Sequence, residues 1–218
     1  MVEQATQSQD GVSKTTPSLQ IRRITKKQAQ PVIEAYHYSH HVPPAPGAKF
    51  FGWFYEDFLF GEQLYAVALY GLGANKHSAE FLAKETNQPI TKDNLIELIR
   101  LARVEPKQDE LPLTKFLSVC HKILRKEGLQ YVVSYSDPQY NPHGGIYAAS
   151  NFKQIGWTLK RKIFQDPEGN LVHERKLSRF QERRRAKGEP ISRADAVALF
   201  GYKPYAVPPK KRWLLKIG

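Results

Sequence analysis

The sequence predicts a mixed α/β fold in which most of the chain encloses one sheet with helices packed against it. Three observations point there. Short runs rich in aromatic and β-branched residues recur along the chain. One segment carries an apolar stripe at three- and four-residue spacing. The elements follow in the order helix, hairpin, strand, helix, strand, helix, hairpin. The 218 residues are 41% hydrophobic, enough to bury a core and fitting one domain with extensions rather than two large ones.

Residues 1–18 are polar and read as a disordered tail. Residues 26–38 place Val32, Ile33 and Tyr36 at helical spacing behind Thr25, a candidate N-cap, and Pro43, Pro44, Pro46 and Gly47 close that helix with a loop. Residues 50–55 and 63–71 read as a β-hairpin around a turn at 56–61. Residues 72–94 read as irregular, with one helical turn near 78–84. The run 95–104 is strand-like and apolar, with Glu97, Arg100 and Arg103 embedded in it. After the loop 105–111, Pro112 opens a helix with Leu113, Phe116, Leu117, Cys120, Ile123 and Leu124 on one face, and Gly128 ends it. Cys120 lies on that stripe and reads as core packing.

Residues 130–135 form another strand, and 136–145 a loop dense in turn residues. Residues 146–151 read as a short helix. A second hairpin joins 157–165 to 171–177 around the turn Asp166–Asn170. Residues 179–188 are a basic, solvent-facing stretch. Ser192 caps a short helix to Phe200, and 210–217 is a terminal basic strand. This divides the chain into a tail (1–18), a main folded domain (19–180) and a basic C-terminal extension (181–218).

The longest apolar stretch, 65–72, is far shorter than the roughly 20 residues of a membrane span, and no signal peptide is visible. A single cysteine excludes an internal disulfide and a cysteine zinc cluster, and the default setting is cytoplasmic. The net charge is +12, and residues 173–218 hold thirteen Lys/Arg against four Asp/Glu, nine of the twelve net positive charges. Such a field recruits polyanions. Arg183, Arg184, Arg185, Lys210, Lys211 and Arg212 are the candidate nucleic-acid contacts, set against the plainer reading of a solubilising surface.

Two polar clusters could carry chemistry. Tyr36, His37, Tyr38, Ser39, His40 and His41 stand at a helix end before a proline-rich loop. His37 and His41 are four apart, as in a helical metal pair, but no third ligand has a fixed spacing. The second cluster is Ser134–Pro138 with Tyr140 and 143–147, a polar loop after a buried strand, where α/β sheets place ligand sites. Asp137 is suited to orienting or deprotonating an N–H group. Ser136–Tyr140 also looks like a degenerate Asp-Pro-Pro-Tyr loop of amino-group DNA methyltransferases, with residues 70–73 the only candidate glycine turn for S-adenosylmethionine. Free amides at the helix opening at Pro112, with Lys107 and Lys115, could bind phosphates, although from this segment alone an ordinary strand–helix connection is the better account.

Taken together, His37-Tyr38-Ser39, the hairpin within 50–71, Glu97-Leu98-Ile99-Arg100-Leu101, Ser134 to Asp137, and Gly145-Ile146-Tyr147-Ala148-Ala149-Ser150-Asn151-Phe152 resemble the Mom family of phage DNA-modification proteins. The resemblance implies a GCN5-related N-acetyltransferase-like fold. It implies transfer of an acyl-derived, methylcarbamoyl-type group to N6 of adenine in double-stranded DNA, shielding phage DNA from restriction. It places His37, Tyr38, Asp137 and Tyr147 in the active site. It implies acetyl-CoA as cofactor, along Leu101, Arg103, Lys107, Thr114, Lys115 and Asn151, and it associates iron with the family, here at His37, Tyr38 or Asp137. The loop 105–111 departs from the pattern, lacking the glycine common in pyrophosphate loops of that fold. A generic N-acetyltransferase, a methyltransferase and a non-enzymatic DNA-binding protein are the alternatives.

Overall fold

A computed structural model of the chain describes residues 20–57, 59–72, 77–104, 112–140, 144–159 and 161–218. The expected tail and the loop 105–111, with Lys107, lie outside the described residues.

The first sheet opens as an antiparallel meander. Strand β1 (Gln20–Ile24) pairs with β2 (Lys49–Asp57), β2 with β3 (Gly61–Gly71), and β3 with β4 (Leu95–Arg103). Between β1 and β2 runs α1 (Lys26–Tyr36), started by a capping box in which Thr25 and Gln28 bond each other's backbone N–H. Helix α2 (His77–Thr86) is longer than the single turn expected between β3 and β4. Helix α3 (Leu113–Lys126) then carries the chain to β5 (Tyr131–Ser136), which lies parallel to β4. A short 3-10 turn, Pro138–Tyr140, and α4 (Gly145–Ala149) lead to β6 (Lys153–Trp157).

The two faces of this sheet bury different elements. Phe116, Leu117, Cys120 and Leu124 of α3 pack on Phe51, Trp53, Tyr70, Ile96, Leu98 and Val132. Cys120 is fully buried there, and burial pushes its thiol pKa up, away from reactivity, as its place on the stripe predicts. On the opposite face α1 buries Ala29 and Ile33 against Phe50, Val67 and Leu69, while Leu82 of α2 packs with Leu95, Tyr131 and Val133.

The C-terminal third keeps the expected hairpin, Ser192-capped helix and last strand but assembles them differently. A small sheet of β7 (Arg161–Gln165), β8 (Leu171–His173) and β9 (Lys203–Val207) carries α5 (Glu174–Ala186) and α6 (Arg193–Leu199) around Phe164, Leu177, Ala196 and Tyr202. The basic stretch is thus helix α5, and a boundary at 180 would cut it. The last strand, β10 (Lys211–Lys216), is part of no extension: it inserts between β5 and β6, antiparallel to both, and completes a seven-stranded sheet. Trp213 and Leu214 explain this, since they are apolar and buried and a peripheral strand would leave them in water. The methyltransferase alternative loses its basis in the same topology. Tyr70 and Gly71 end a hairpin strand held antiparallel on both sides, not the strand of a strand–turn–helix cofactor motif, and Gly73 lies outside the described residues.

Candidate active site

The centre of the site follows from how two strands part. β4 and β5 pair from Leu95–Tyr131 to Leu98–Ser134, after which β4 continues along β3 and β5 along β10. At the same level β4 is bulged: Leu69 opposes Arg100 and Tyr70 opposes Leu98, leaving Ile99 extra. A bulge takes one residue out of the ladder and bends its strand. The result is an opening in the middle of the sheet.

Tyr147 reaches into it from α4. Its hydroxyl lies 3.0 Å from Ser134 Oγ, which lies 2.8 Å from the Leu98 carbonyl oxygen. A carbonyl only accepts, so Ser134 donates to Leu98 and accepts from the Tyr147 phenol. Burial raises the Tyr147 pKa, with the bond to Ser134 opposing it. Tyr147 stacks on Trp213 with centroids 5.7 Å apart, and the Trp213 indole N–H donates to Ser136 Oγ at 2.9 Å.

On the α1/α2 face the opening meets a cavity of about 370 Å³ lined by Tyr38, Glu97, Arg100, Tyr135, Lys210 and Arg212. Arg100 is fixed by donating to the carbonyls of Ile99 (2.8 Å) and His41 (3.2 Å). Burial pushes the Glu97 carboxyl above its ordinary pKa, against the pull of Lys210 and Arg100. Asp137 is 1% exposed, with Lys210 Nζ 3.4 Å from its carboxylate. Three rings form a ladder beside it: His37 to Tyr38 at 4.3 Å and Tyr38 to Tyr140 at 4.5 Å, the second pair stacked. Burial pushes the Tyr38 phenol up to about 12, assisted by Asp137 and opposed by Arg100.

His37, Tyr38, Asp137 and Tyr147 thus come to one region from α1, the turn after β5, and α4. The role open to His37 is narrower than base or ligand. Its Nδ1 accepts from the Ser39 N–H at 3.1 Å, so in the neutral ring Nε2 carries the proton and can only donate. Burial, then Arg100, His40 and Lys210, lower its pKa to about 4. The expected iron does not fit these residues as they are arranged. His37 Nδ1 is taken, the Tyr38 phenol is held protonated, Asp137 is paired with Lys210, and the cations that depress His37 oppose another cation. Among the described residues no group of three His, Cys, Asp or Glu side chains could hold a metal.

On the α3 face a groove of about 390 Å³ is lined by Thr114, Lys115, Lys122, Arg125, Ser150 and Asn151, among others. Three of the expected cofactor residues, Thr114, Lys115 and Asn151, meet there. Leu101 instead packs into the core beneath α3, and Arg103 is half-buried at the end of β4, lining no cavity described here. Lys122 and Arg125 were not foreseen, although both lie on the polar side of the predicted helix.

The expected nucleic-acid contacts disperse. Arg183 lines a large cleft beside α5. Arg184 binds Glu189, through the carbonyl at 3.2 Å and the carboxylate at 2.9 Å, and Arg185 is exposed at the helix end. Lys210 and Arg212 turn into the cavity beside Glu97 and Arg100, with Arg212 also over the Phe81 ring, and Lys211 lies over Trp157. The sequence placed Ser134 in a polar cluster and Glu97 and Arg100 in a family-like motif, but gave none of the three a role of its own. The signal for the last two was present, since charges within an otherwise apolar strand must face something polar.

A profile of the Mom protein family matches residues 18–207. A search of curated proteins returns no match. Among solved structures, FeeM, an N-acyl amino acid synthase from uncultured soil microbes, is similar with a TM-score of 0.51 at 15% identity, over 93% of this chain and 92% of that one. A protein assigned as a phosphinothricin N-acetyltransferase gives a TM-score of 0.50 at 10% identity, over 92% and 99%. The likeness establishes the GCN5-related N-acetyltransferase-like fold. No helix among the described residues is long and apolar enough to cross a membrane.

Proposed function

The chain belongs to the Mom protein family, and from that membership and the paired cavities we propose an acyltransferase-type enzyme that places a methylcarbamoyl-type group on N6 of adenine in double-stranded DNA. The observation that carries this reading is the β4–β5 opening, where Tyr147 bonds Ser134, with a polar, aromatic-rimmed cavity on one side of the sheet and a basic groove on the other.

The adenine N6 amine is conjugated with its ring and is a poor nucleophile. In a duplex it is also paired and stacked, so the base must be extruded at a cost of a few kcal/mol. The stacked Tyr38–Tyr140 pair offers a compensating face, each base–aromatic contact being worth roughly 1–3 kcal/mol. Asp137, positioned by Lys210, accepts an N6–H and aligns the amine. Glu97, with its raised pKa beside Arg100, takes the proton released as the amine attacks. Arg100 and Lys210 offset negative charge that develops on the acyl oxygen. Burial keeps the Tyr147 phenol protonated, and one bond rotation turns that proton from Ser134 to the leaving group. His37 donates through Nε2 and keeps the Tyr38 ring in place.

The α3 groove fits a phosphate-bearing acyl carrier, with Lys115, Lys122 and Arg125 supplying charge and Thr114 and Asn151 hydrogen bonds. Acetyl-CoA held there would supply only an acetyl group. For a methylcarbamoyl product the donor would be a CoA thioester already carrying the methylamino nitrogen on its carbonyl, from which the N6 amine would displace CoA, the leaving thiolate taking the Tyr147 proton. The mark would shield the DNA that carries it from restriction, which places the reaction in a cell's cytoplasm.

The test is mass analysis of nucleosides from plasmid recovered after expression. A methylcarbamoyl adduct on adenine is expected. It carries one N–H more than an acetyl adduct, so simple acetyl transfer is distinguished directly. Unmodified adenine from cells holding soluble protein would overturn the reading.

A further inference from the structure

The catalytic cavity continues into a second, larger space that the proposed chemistry does not use. A cleft of about 1220 Å³ runs between the His41–Pro44 loop and α5, sharing Arg100 and Lys210 with the catalytic cavity. Its α5 wall carries Arg175, Arg179 and Arg183, four residues apart and therefore on one helix face at steps of about 6 Å. All three are exposed, and no ion pair holds them among the described residues. Of the helix's other charges, Arg184 pairs with Glu189 and Glu174 with Arg193. The one carboxylate lining the cleft among the described residues, Asp166, is bonded to Asn170 within its own turn.

The geometry points to this cleft as the seat of the DNA sugar-phosphate backbone next to the extruded nucleotide, with Arg175, Arg179 and Arg183 on successive phosphates. This rests on the reading of DNA as the substrate. A row of unpaired guanidiniums along a groove suits a linear polyanion, and Arg binds phosphate through two parallel N–H bonds. Because the cleft runs into the cavity through Arg100 and Lys210, a strand lying along α5 would deliver a neighbouring base to Tyr38 and Asp137. The small sheet and its two helices thereby act as a clamp.

The test measures binding of a labelled duplex by fluorescence anisotropy across a salt series, using the full chain. A variant with Arg175→Ala, Arg179→Ala and Arg183→Ala is compared with one carrying Lys26→Ala, Lys27→Ala and Lys84→Ala, which loses the same charge elsewhere. Thermal melting checks that both fold. The arginine variant should bind more than tenfold weaker, with a salt slope shallower by about 2.7, while the lysine variant stays near the parent. Equal affinities and slopes for the two variants would overturn the assignment while leaving the DNA reading standing. Failure of the parent chain to bind duplex DNA, or tighter binding of duplex RNA, would overturn both.

Discussion

The Tyr147 hydroxyl meets Ser134 Oγ at 3.0 Å where β4 and β5 cease to pair, and Ser134 in turn donates to the Leu98 carbonyl at 2.8 Å. Three elements are joined by this chain of two hydrogen bonds. The phenol is therefore aimed by backbone atoms of the sheet rather than by loop packing, which fixes its position relative to both the donor groove and the acceptor cavity.

Tyr147→Phe removes the proton but keeps the ring against Trp213. It should lower kcat by about 10²–10⁴-fold with little change in KM for DNA. Ser134→Ala keeps the phenol but loosens its aim, and should cost less. Steady-state kinetics on a defined duplex would separate the two, and equal, small losses would remove Tyr147 from the chemistry.

Asp137→Asn keeps the side-chain shape while removing the charge opposite Lys210. Duplex affinity should stay within a few-fold of the parent, because the buried carboxylate takes no phosphate on the proposed reading. The adenine mark should disappear in the nucleoside analysis. A variant that still modifies DNA at the parent level would show that another group aligns N6.

Much of this arrangement was legible in the chain, for identifiable reasons. The α3 stripe and the hairpin announce themselves because their apolar periods match one face of a helix or strand. The two polar clusters stood out because chemistry-bearing residues gather where ordered elements end, and the resemblance to the Mom family singled out His37, Tyr38, Asp137 and Tyr147 within them. The role of Ser134 was illegible, because it depends on two strands diverging at one residue, a property of pairing and not of local sequence. The placement of β10 was misread for a similar reason. Its lysines and arginine suggested surface, yet alternation puts Trp213 inward, and pairing with β5 happens across about 80 residues of chain. Basic charge likewise said nothing about direction: Arg183 faces the cleft while Arg184 folds onto Glu189.

Gly144 holds the start of α4 at φ +80°, and a Cβ there would stand 2.2 Å from the Trp213 ring. Gly144→Ala therefore strains the backbone and pushes α4 away from the sheet. The expected loss is about 1–3 kcal/mol of stability, together with an activity loss exceeding what stability explains, because Tyr147 moves with α4. Gly145→Ala is the control, since a Cβ there meets nothing within 4 Å. Comparable behaviour of the two variants would mean that the contact with Trp213 does not set the tyrosine.

His121 faces inward from α3 between the edges of Tyr70 and Phe152, and its Nε2 has no hydrogen-bond partner among the described residues. Burial alone lowers its pKa to about 4, from an ordinary 6.5. Between those values the unfolded chain binds a proton that the folded chain refuses, so stability falls as pH drops through the window and this contribution levels off below about 4. His37 acts in the same direction, and carboxylates contribute their own slopes, so the comparison must be with His121→Phe. That variant keeps an aromatic ring in the space and removes the titration. Its stability advantage over the parent should grow by up to about 1.4 kcal/mol per pH unit as pH falls from 6.5 toward 4, and stay constant above 7. Urea melts at several pH values would measure it, and a difference independent of pH would show that the imidazole protonates equally easily in the folded chain.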